Sequence, residues 1–521
     1  MHRLFNTTCV VLVIGCALLR FFDLQHYPPY IHNDEAYIPL FGMRFMDPIN
    51  DWALKGSSYG GHPNFGVWLV SLPAQILGTT TIWTGRLGVA FIGLLSLILF
   101  AWAIALAHGR TACLLFLAFG MTFHLHLHYS RTAFQYNSAI LAAALVSFSC
   151  MVWMRAPRWW SALLVGISVG LSMLMYSASH VLPPSLAMTL ALVWLFPPRK
   201  DTPITSRIPP LSCGTVLLML IGFFAAFGLQ LHDWLTAGYA SRLDSQFFLA
   251  PSARRHLELN IGHPVGAWEL LFRNVSQTLR FFVQGDSAGQ YSFRGPLLSS
   301  FGSSLALTGL LVLAWRAAQR EVLPLFIIIA SSATLMGSSI MVEANFSPHL
   351  ILFALAVPYA CAIGLSTLMS VLPNGVVWLK VFISVAISIW WTHWNLNAYR
   401  GTIDRQGYAR WVWMLNLPVK YQSVKTIINF TSIPEPFSES HYQLVYPNAE
   451  RLTLSSSSAE NTWQALLPRL QSQTCPCLFL IPEDQSGRIG ELLQAHGSPY
   501  SEHKGRWNNM DFKATVFEVS S

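Results

Sequence analysis

Two adjacent carboxylates with aromatic neighbours in the sequence form the first pattern along this chain that could serve catalysis. Asp34 and Glu35 stand in the run Asn-Asp-Glu-Ala-Tyr over residues 33–37, with Tyr27 and Tyr30 shortly before them. Apolar neighbours partly desolvate a carboxylate, which makes it a better general base. An ordinary solvated loop shows the same dipeptide, so the pair alone leaves both interpretations open.

Basic and imidazole side chains that can neutralise a phosphate follow at intervals. His62 stands in a Gly-Gly-His-Pro-Asn turn, Arg86 in Gly-Arg-Leu-Gly, and Arg131 in Tyr-Ser-Arg. Arginine can hold phosphate oxygens with two hydrogen bonds at once, although a basic residue at a helix end also serves as an anchor for lipid headgroups. Both roles are open for each candidate cation: Lys55, His62, Arg86, Arg131, His180 and His349.

The composition shows what kind of protein positions these residues. Of 521 residues, 53% are hydrophobic and 11% are charged, and the mean hydropathy is +0.44. Soluble proteins carry about 25% charged residues, so a soluble enzyme, a disordered chain and a secreted disulfide scaffold are excluded. No carboxylate occurs from Trp52 to Lys200. The net charge of +8 comes from basic residues scattered between apolar runs, so no nucleic-acid partner is expected.

The apolar runs predict a polytopic α-helical membrane protein with about eleven spanning helices and additional interfacial helices. A span needs about 20 mostly apolar residues. The first apolar run, residues 8–22, is predicted to be an uncleaved membrane anchor because no small-residue cleavage site follows it. The predicted spans are 8–22, 84–108, 111–126, 137–154, 160–176, 181–196, 211–231, 299–315, 322–340, 350–369 and 376–391.

The distribution of basic residues predicts the orientation. The apolar run 65–77 is short and contains Pro73, so we expect it to lie in the interface without crossing. Most basic clusters between spans then fall on the cytoplasmic side, as the positive-inside rule requires. The N-terminus is therefore predicted to be cytoplasmic in the inner (plasma) membrane, with loops 23–83 and 232–298 and the C-terminal segment on the outer side.

Two domains are predicted: a membrane domain over residues 1–393 and a small α/β extracytoplasmic domain over residues 394–521. Strands are expected near 443–446, 477–481 and 514–518, and helices near 459–470 and 487–495. The long loop 232–298 suits either an amphipathic flap over a ligand or a surface loop with interfacial helices.

Several motifs in this order resemble the GT-C membrane glycosyltransferases, in the branch of the protein O-mannosyltransferases and the lipid A aminoarabinose transferases. They are the Asp34-Glu35 pair after the first helix, the His62-Pro63 turn, Arg86-Leu87 opening the next helix, and the Tyr-Ser-Arg turn that ends at Arg131. The segments 175–180 and 345–364 also stand where this branch has signatures. The resemblance extends from about Arg20 to Gly364 and leaves out the C-terminal domain.

The resemblance implies an inverting transfer of a sugar from a polyprenyl phosphate carrier, undecaprenyl or dolichyl, to a protein, lipid or glycan acceptor outside the membrane. Asp34 would be the catalytic base, Glu35 would support it or orient the acceptor, and the six cations would bind the donor phosphate. One departure is Ser-Pro-His-Leu over residues 347–350, where the branch often has Arg-Tyr. No cofactor is expected; a divalent metal held by Asp34, Glu35 and His62 is the lesser alternative.

A transporter or flippase of envelope lipids or glycans is the competing hypothesis, with an envelope scaffold as a third. A transporter would be expected to place ionisable residues at mid-membrane and often to show a repeat between its halves. The second to sixth predicted spans contain no carboxylate, and the halves show no repeat. The enzyme is therefore favoured.

Overall fold

The structure is a computed structural model of the full chain. It describes the following residues: 2–25, 27–28, 33–42, 56, 63–196, 209, 212–237, 247–248, 250–251, 254–255, 258, 263–284, 295–341, 344, 347–404, 426–430, 450–454, 463–464, 467, 477–495, 500–507 and 512–519.

The described residues before residue 405 are mostly helical. Short 3-10 helices at Ser177–Val181 and Asn374–Val376 join longer elements. The α-helices are α1 (His2–Phe21), α2 (Asn33–Gly42), α3 (Asn64–Leu77), α4 (Ile82–His108), α5 (Arg110–Thr122), α6 (His124–Tyr129), α7 (Asn137–Arg155), α8 (Trp159–Leu174), α9 (Leu182–Leu195), α10 (Cys213–Ala237), α11 (Ala267–Val283), α12 (Ser300–Ala318), α13 (Val322–Ser339), α14 (Phe353–Val371) and α15 (Val377–Asp404).

The predicted polytopic α-helical membrane architecture is confirmed. Within the described residues, seven helical segments are long and apolar enough to cross a membrane: Ile82–His108, Asn137–Arg155, Ser177–Leu195, Cys213–Asp233, Ser300–Ala318, Val322–Ser339 and Phe353–Val371. Helices also occupy the other four predicted spans, but α1, α5 and α8 have shorter apolar stretches. The helix α5 is short because the backbone leaves the helical conformation at Phe123, where ψ is 112°, before α6 begins.

The helices α2, α3 and α4 pack together at the end of the bundle where α4 begins. Gly88 of α4 lies against the backbone of Val70 in α3, and Gly85 lies against Pro39 in α2, so neither glycine has room for a side chain. The helix α3 has 14 residues and is therefore about 21 Å long, shorter than the roughly 30 Å hydrocarbon core. This length agrees with an interfacial helix; whether residues 65–77 cross the membrane stays a prediction.

A polar cluster ties helices together at the opposite end of α4. His108 Nε2 lies 2.6 Å from the Tyr359 hydroxyl of α14, and Arg316 Nη1 of α12 lies 2.7 Å from His108 Nδ1. Glu321, at the turn between α12 and α13, is 3.5 Å from Arg316 Nη1. The cluster joins α4, α12 and α14, while most of the core between them is apolar.

The helix α11 lies within the second long loop, residues 232–298, and buried hydrogen bonds hold it in place. Its side chains Asn274 and Thr278 are buried: Asn274 Nδ2 donates to the carbonyls of Ser339 and Met341 at 3.0 and 2.9 Å, and Thr278 Oγ1 donates to the carbonyl of Ala344 at 2.9 Å. The opposite face exposes large apolar residues, namely Trp268, Phe272, Val275, Leu279 and Val283. Such a face suits an interfacial helix. For residues 267–283 the geometry therefore favours the interfacial helix over a mobile flap.

The C-terminal part forms a five-stranded sheet: β1 (Thr426–Phe430), β2 (Glu450–Leu454), β3 (Cys477–Pro482), β4 (Tyr500–Trp507) and β5 (Phe512–Val519), with α16 (Glu483–Ala495) between β3 and β4. The strand order is β2-β1-β3-β5-β4. Here β1 is parallel to β2 and β3, and β5 is antiparallel to β3 and β4.

The predicted strands at 477–481 and 514–518 correspond to β3 and β5, and the predicted helix at 487–495 lies within α16. The predicted strand at 443–446 lies outside the described residues; of the predicted helix at 459–470, only 463–464 and 467 are described, and these are helical. Three strands, β1, β2 and β4, were not predicted. The strand β4 carries polar residues typical of a sheet edge, so it has no apolar run to reveal it.

Candidate active site

A buried ion pair fixes α2 against the start of α4. Arg86 Nε donates to Glu35 Oε1 at 2.7 Å, and the two side chains are 0% and 1% exposed. The backbone N–H of Ala133 also donates to Glu35 Oε1, at 3.1 Å. One carboxylate oxygen therefore connects α2, α4 and the segment that follows the Tyr-Ser-Arg turn.

Arg86 also holds the segment that connects α1 to α2. Its Nη1 donates to the carbonyls of Leu24 at 3.0 Å and Pro28 at 2.8 Å. Burial of a guanidinium is tolerated only when its charge is paired and its N–H groups have acceptors, and Glu35 with the two carbonyls supplies both. These are the contacts of a positioning residue; contact between Arg86 and a donor phosphate stays a prediction.

Arg131 holds the same connecting segment from the other side. Its Nη1 donates to the carbonyls of Leu19 at 2.6 Å and Arg20 at 3.4 Å, and its Nη2 donates to those of Phe22 at 2.8 Å and Tyr27 at 2.9 Å. A cation that binds the last carbonyls of a helix complements the helix dipole. Arg131 is thus the C-terminal cap of α1, and it is 4% exposed.

The other predicted site residues are placed as follows. Asp34 is the second residue of α2, one position before Glu35, but its side chain lies outside the described residues, as do Lys55 and His62. His180 is half-buried, and its Nε2 lies 3.2 Å from the carbonyl of Met173. The structure therefore joins Glu35, Arg86 and the Arg131 turn directly, whereas His180 contacts the end of α8.

His349 follows a turn that approaches the Tyr-Ser-Arg motif. The hydroxyl of Tyr129 lies 2.6 Å from Ser347 Oγ, and both residues are buried. His349 itself is half-buried. The Ser-Pro-His-Leu segment, which departs from the expected Arg-Tyr pattern, is thus tied to the turn that contains Arg131.

A buried cluster around Arg20 was missed by sequence reasoning. Arg20 Nη2 lies 3.0 Å from His126 Nδ1, and its Nη1 donates to the carbonyls of Cys16 and Met121 at 3.1 and 3.2 Å. His126 Nε2 lies 3.2 Å from Ser96 Oγ. The signal in the sequence was an arginine inside the first apolar run together with the alternating histidines of α6.

The end of α10 contacts the first long loop. The backbone N–H of Gly56 donates to Asp233 Oδ2 at 2.9 Å, and the backbone N–H of Asn64 donates to the Gly56 carbonyl at 3.4 Å. Gly56 has φ of +77°, a conformation that favours glycine. Asp233 therefore links α10 to Gly56, which follows the predicted cation Lys55 in the sequence and precedes the predicted cation His62 by six positions.

A metal site is not assembled by the residues that the structure describes, since none of their His, Cys, Asp and Glu side chains form a group of three or more. Glu35, one of the three predicted ligands, is paired with Arg86. The side chains of Asp34 and His62 lie outside the described residues, so this statement does not extend to them.

Residues 17–243 match the model of the dolichyl-phosphate-mannose-protein mannosyltransferase family. Among solved structures, the oligosaccharyltransferase of Archaeoglobus fulgidus in the apo form is similar, with 13% identity, a TM-score of 0.48 and coverage of 92% of this chain and 69% of that chain. ArnT from Cupriavidus metallidurans bound to undecaprenyl phosphate is also similar, with 14% identity, a TM-score of 0.45 and 99% coverage of each chain. No significant match is found among curated proteins.

The family match includes α2 with Asp34 and Glu35, Arg86 at the start of α4, and the turn of Arg131. It thus covers the two acids and the two arginines that the sequence motifs singled out. Over residues 17–243, the chain is therefore similar to a family of mannosyltransferases.

Proposed function

We propose that this enzyme transfers a sugar from a polyprenyl phosphate carrier to an acceptor on the outer side of the cytoplasmic membrane, with inversion at the anomeric carbon. Asp34 takes the proton from the acceptor nucleophile, the new glycosidic bond forms, and the carrier leaves as polyprenyl phosphate. A single displacement of this kind needs one base and cationic or N–H groups that stabilise the leaving phosphate.

The observation that carries the proposal is the Glu35–Arg86 ion pair inside the region that matches a family named for a dolichyl phosphate sugar donor. The pair holds α2 against α4, and Asp34 occupies the preceding position in α2, about 100° around the helix axis from Glu35. Glu35 is engaged with Arg86 and the N–H of Ala133. Of the two acids, Asp34 is therefore assigned the proton transfer, and Glu35 fixes the helix that carries it.

The cations around the first long loop are assigned to the donor phosphate. Lys55 and His62 flank the turn that Asp233 of α10 contacts through Gly56. Their positions in the sequence place them in the loop that begins after α1 and leads into α3. The family name specifies a protein acceptor; for this chain the acceptor class remains protein, lipid or glycan.

The outer location of the reaction rests on loop charge. Arg110, Arg155, Arg158 and Arg316 lie at the ends of α4, α7 and α12 away from α2 or in the turns next to them. Basic residues between spans are enriched on the cytoplasmic side. This distribution supports the proposal that α2, and with it Asp34, lies on the outer side.

The test compares envelope lipids and glycoproteins by mass spectrometry in cells that lack the protein or express the parent, Asp34→Asn or Asp23→Asn. Asp23→Asn is the matched control because it makes the same substitution in the same loop, and asparagine tolerates the φ of 52° found there. We expect the parent and the Asp23→Asn control to form the same sugar-modified species. Asp34→Asn should form it about a hundred- to ten-thousand-fold more slowly. Parental modification by well-expressed Asp34→Asn would overturn the assignment.

A further inference from the structure

The helix α11 exposes an apolar stripe along its whole length. The large side chains of this stripe recur every three or four residues, so they share one face of the helix. They are 37% to 72% exposed: Trp268, Phe272, Val275, Leu279 and Val283. Removing such a stripe from water is favourable in proportion to its apolar area, so the stripe requires an apolar partner beyond the described residues.

The stripe adjoins the lipid-facing surface of the spanning helices. The backbone N–H of Leu298 donates to the carbonyl of Phe282 at 2.9 Å, directly before α12 begins, and so ties the end of α11 to α12. Phe301 in the first turn of α12 is exposed, and so is Met336 in the last turn of α13. Exposed apolar side chains on spanning helices face lipid. This continuity makes the bilayer the apolar partner of the stripe.

Two arginines border the stripe on one flank of α11. Arg273 and Arg280 are exposed, and each directly follows a residue of the stripe, Phe272 and Leu279, about 100° around the helix axis. The ion pairs between described residues involve neither arginine. Glu269 is exposed one turn before Arg273, so the flank carries two positive charges and one negative charge. Cations beside an inserted apolar face are attracted to anionic lipids.

We propose that α11 binds anionic membrane lipids, with the stripe from Trp268 to Val283 inserted among the acyl chains and Arg273 and Arg280 bound to the lipid phosphates. A bilayer of uncharged lipids would use the stripe alone, whereas an anionic surface uses the stripe and both cations. A protein on this face would have to displace the lipid that covers the adjoining side chains of α12 and α13. This inference does not depend on the proposed sugar transfer.

The helix that binds the lipid also holds a segment that reaches the candidate active site. Thr278 Oγ1 donates to the carbonyl of Ala344 at 2.9 Å, three residues before Ser347. Ser347 Oγ lies 2.6 Å from the hydroxyl of Tyr129, which belongs to the Tyr-Ser-Arg turn. A series of buried hydrogen bonds thus joins the lipid-binding helix to the turn that contains Arg131.

The experiment measures lipid contact in the full chain, reconstituted in liposomes of phosphatidylcholine and phosphatidylglycerol after replacement of its eight native cysteines. A fluorophore on Phe272→Cys reports the stripe. The matched control position is Gln277→Cys, which is half-buried in the same helix and about 140° around its axis from Phe272. Nitroxides on the acyl chains of either lipid quench the fluorophore. Charge is tested by Arg273→Gln with Arg280→Gln, and Arg488→Gln in α16 is the control for loss of an exposed arginine.

We expect strong quenching at position 272 and weak quenching at position 277, with phosphatidylglycerol preferred over phosphatidylcholine. One arginine near an anionic surface changes lipid affinity about fivefold. The double glutamine variant should therefore lose at least about fivefold of this preference, and Arg488→Gln should retain it. Equal quenching at the two positions would overturn the docking, and an unchanged preference in the double variant would overturn the lipid selection. Energy transfer between two labelled copies without quenching by lipid would place a second copy on this face and would also overturn the proposal.

Discussion

Arg86 Nε and Glu35 Oε1 lie 2.7 Å apart in a fully buried ion pair that joins α4 to α2. The two residues are 51 positions apart in the sequence, so their contact brings together the two ends of a segment that contains the helix α3. The pair also reaches Ala133, which follows the turn containing Arg131. Two motifs that are distant along the chain thus meet at a single carboxylate.

This pair predicts a strong coupling between its two residues. Glu35→Gln and Arg86→Gln should each cost about 3 to 5 kcal/mol of stability, because each leaves a buried charge without its partner. The double variant should cost less than the sum of the single losses. Thermal unfolding of the four proteins in detergent measures the coupling, with the exposed Arg158→Gln as the control. Additive losses would show that the two side chains do not form a pair in the membrane.

A second prediction concerns the cap of α1. Arg131→Ala removes the donors of four carbonyl hydrogen bonds and should destabilise the protein by about 2 to 4 kcal/mol. Arg131→Lys should rescue little, because an ammonium group does not reproduce the planar fork of a guanidinium. The midpoint of thermal unfolding measures both effects. Full rescue by lysine would mean that charge alone, without the carbonyl contacts, accounts for the role of Arg131.

The sequence predicted the class of fold because apolar runs of spanning length have a direct physical cause in the bilayer. It also singled out Glu35, Arg86 and Arg131 through motifs. It did not predict that Arg86 and Arg131 are buried against backbone carbonyls, because a basic residue at a helix end has the same sequence pattern whether it faces lipid headgroups or the connecting segment between α1 and α2. That outcome depends on contacts between residues that are 51 to 112 positions apart in the sequence.

The cluster of Arg20 and His126 was missed for a similar reason. An arginine within an apolar run is costly unless partners are present, and the partners of Arg20 come from α5 and α6, about 100 residues later. The break at Phe123 that creates α6 is not marked by glycine or proline. Tertiary packing therefore decides the shape of this region.

Gly88 provides a third prediction, which concerns the packing of α3 on α4. A methyl group at Gly88 would overlap the backbone of Val70, so Gly88→Ala should push α3 away and cost about 1 to 3 kcal/mol. Gly228→Ala in α10 is the matched control, since no atom lies within 4 Å of the position a methyl group would take there. The control should be neutral or slightly stabilising, as alanine is the better helix former. Equal unfolding temperatures for the two variants would contradict the close packing.

The last prediction tests whether α3 crosses the membrane. The exposed residue Thr79 follows α3 and precedes the capping box formed by Thr81 and Thr84 at the start of α4. If the 14 residues of α3 lie in the interface on the same side as α2, a cysteine at position 79 should react with a membrane-impermeant maleimide from outside intact cells. The variant should be made in a chain without the exposed Cys213 and without Cys475 and Cys477, which belong to the predicted outer domain, so that labelling reports position 79. A cysteine at Arg158, which lies exposed in the turn between α7 and α8 on the predicted cytoplasmic side, should react only after the membrane is permeabilised. Labelling of position 79 from the cytoplasm alone would mean that α3 spans the bilayer, and the orientation of every later helix would then be reversed.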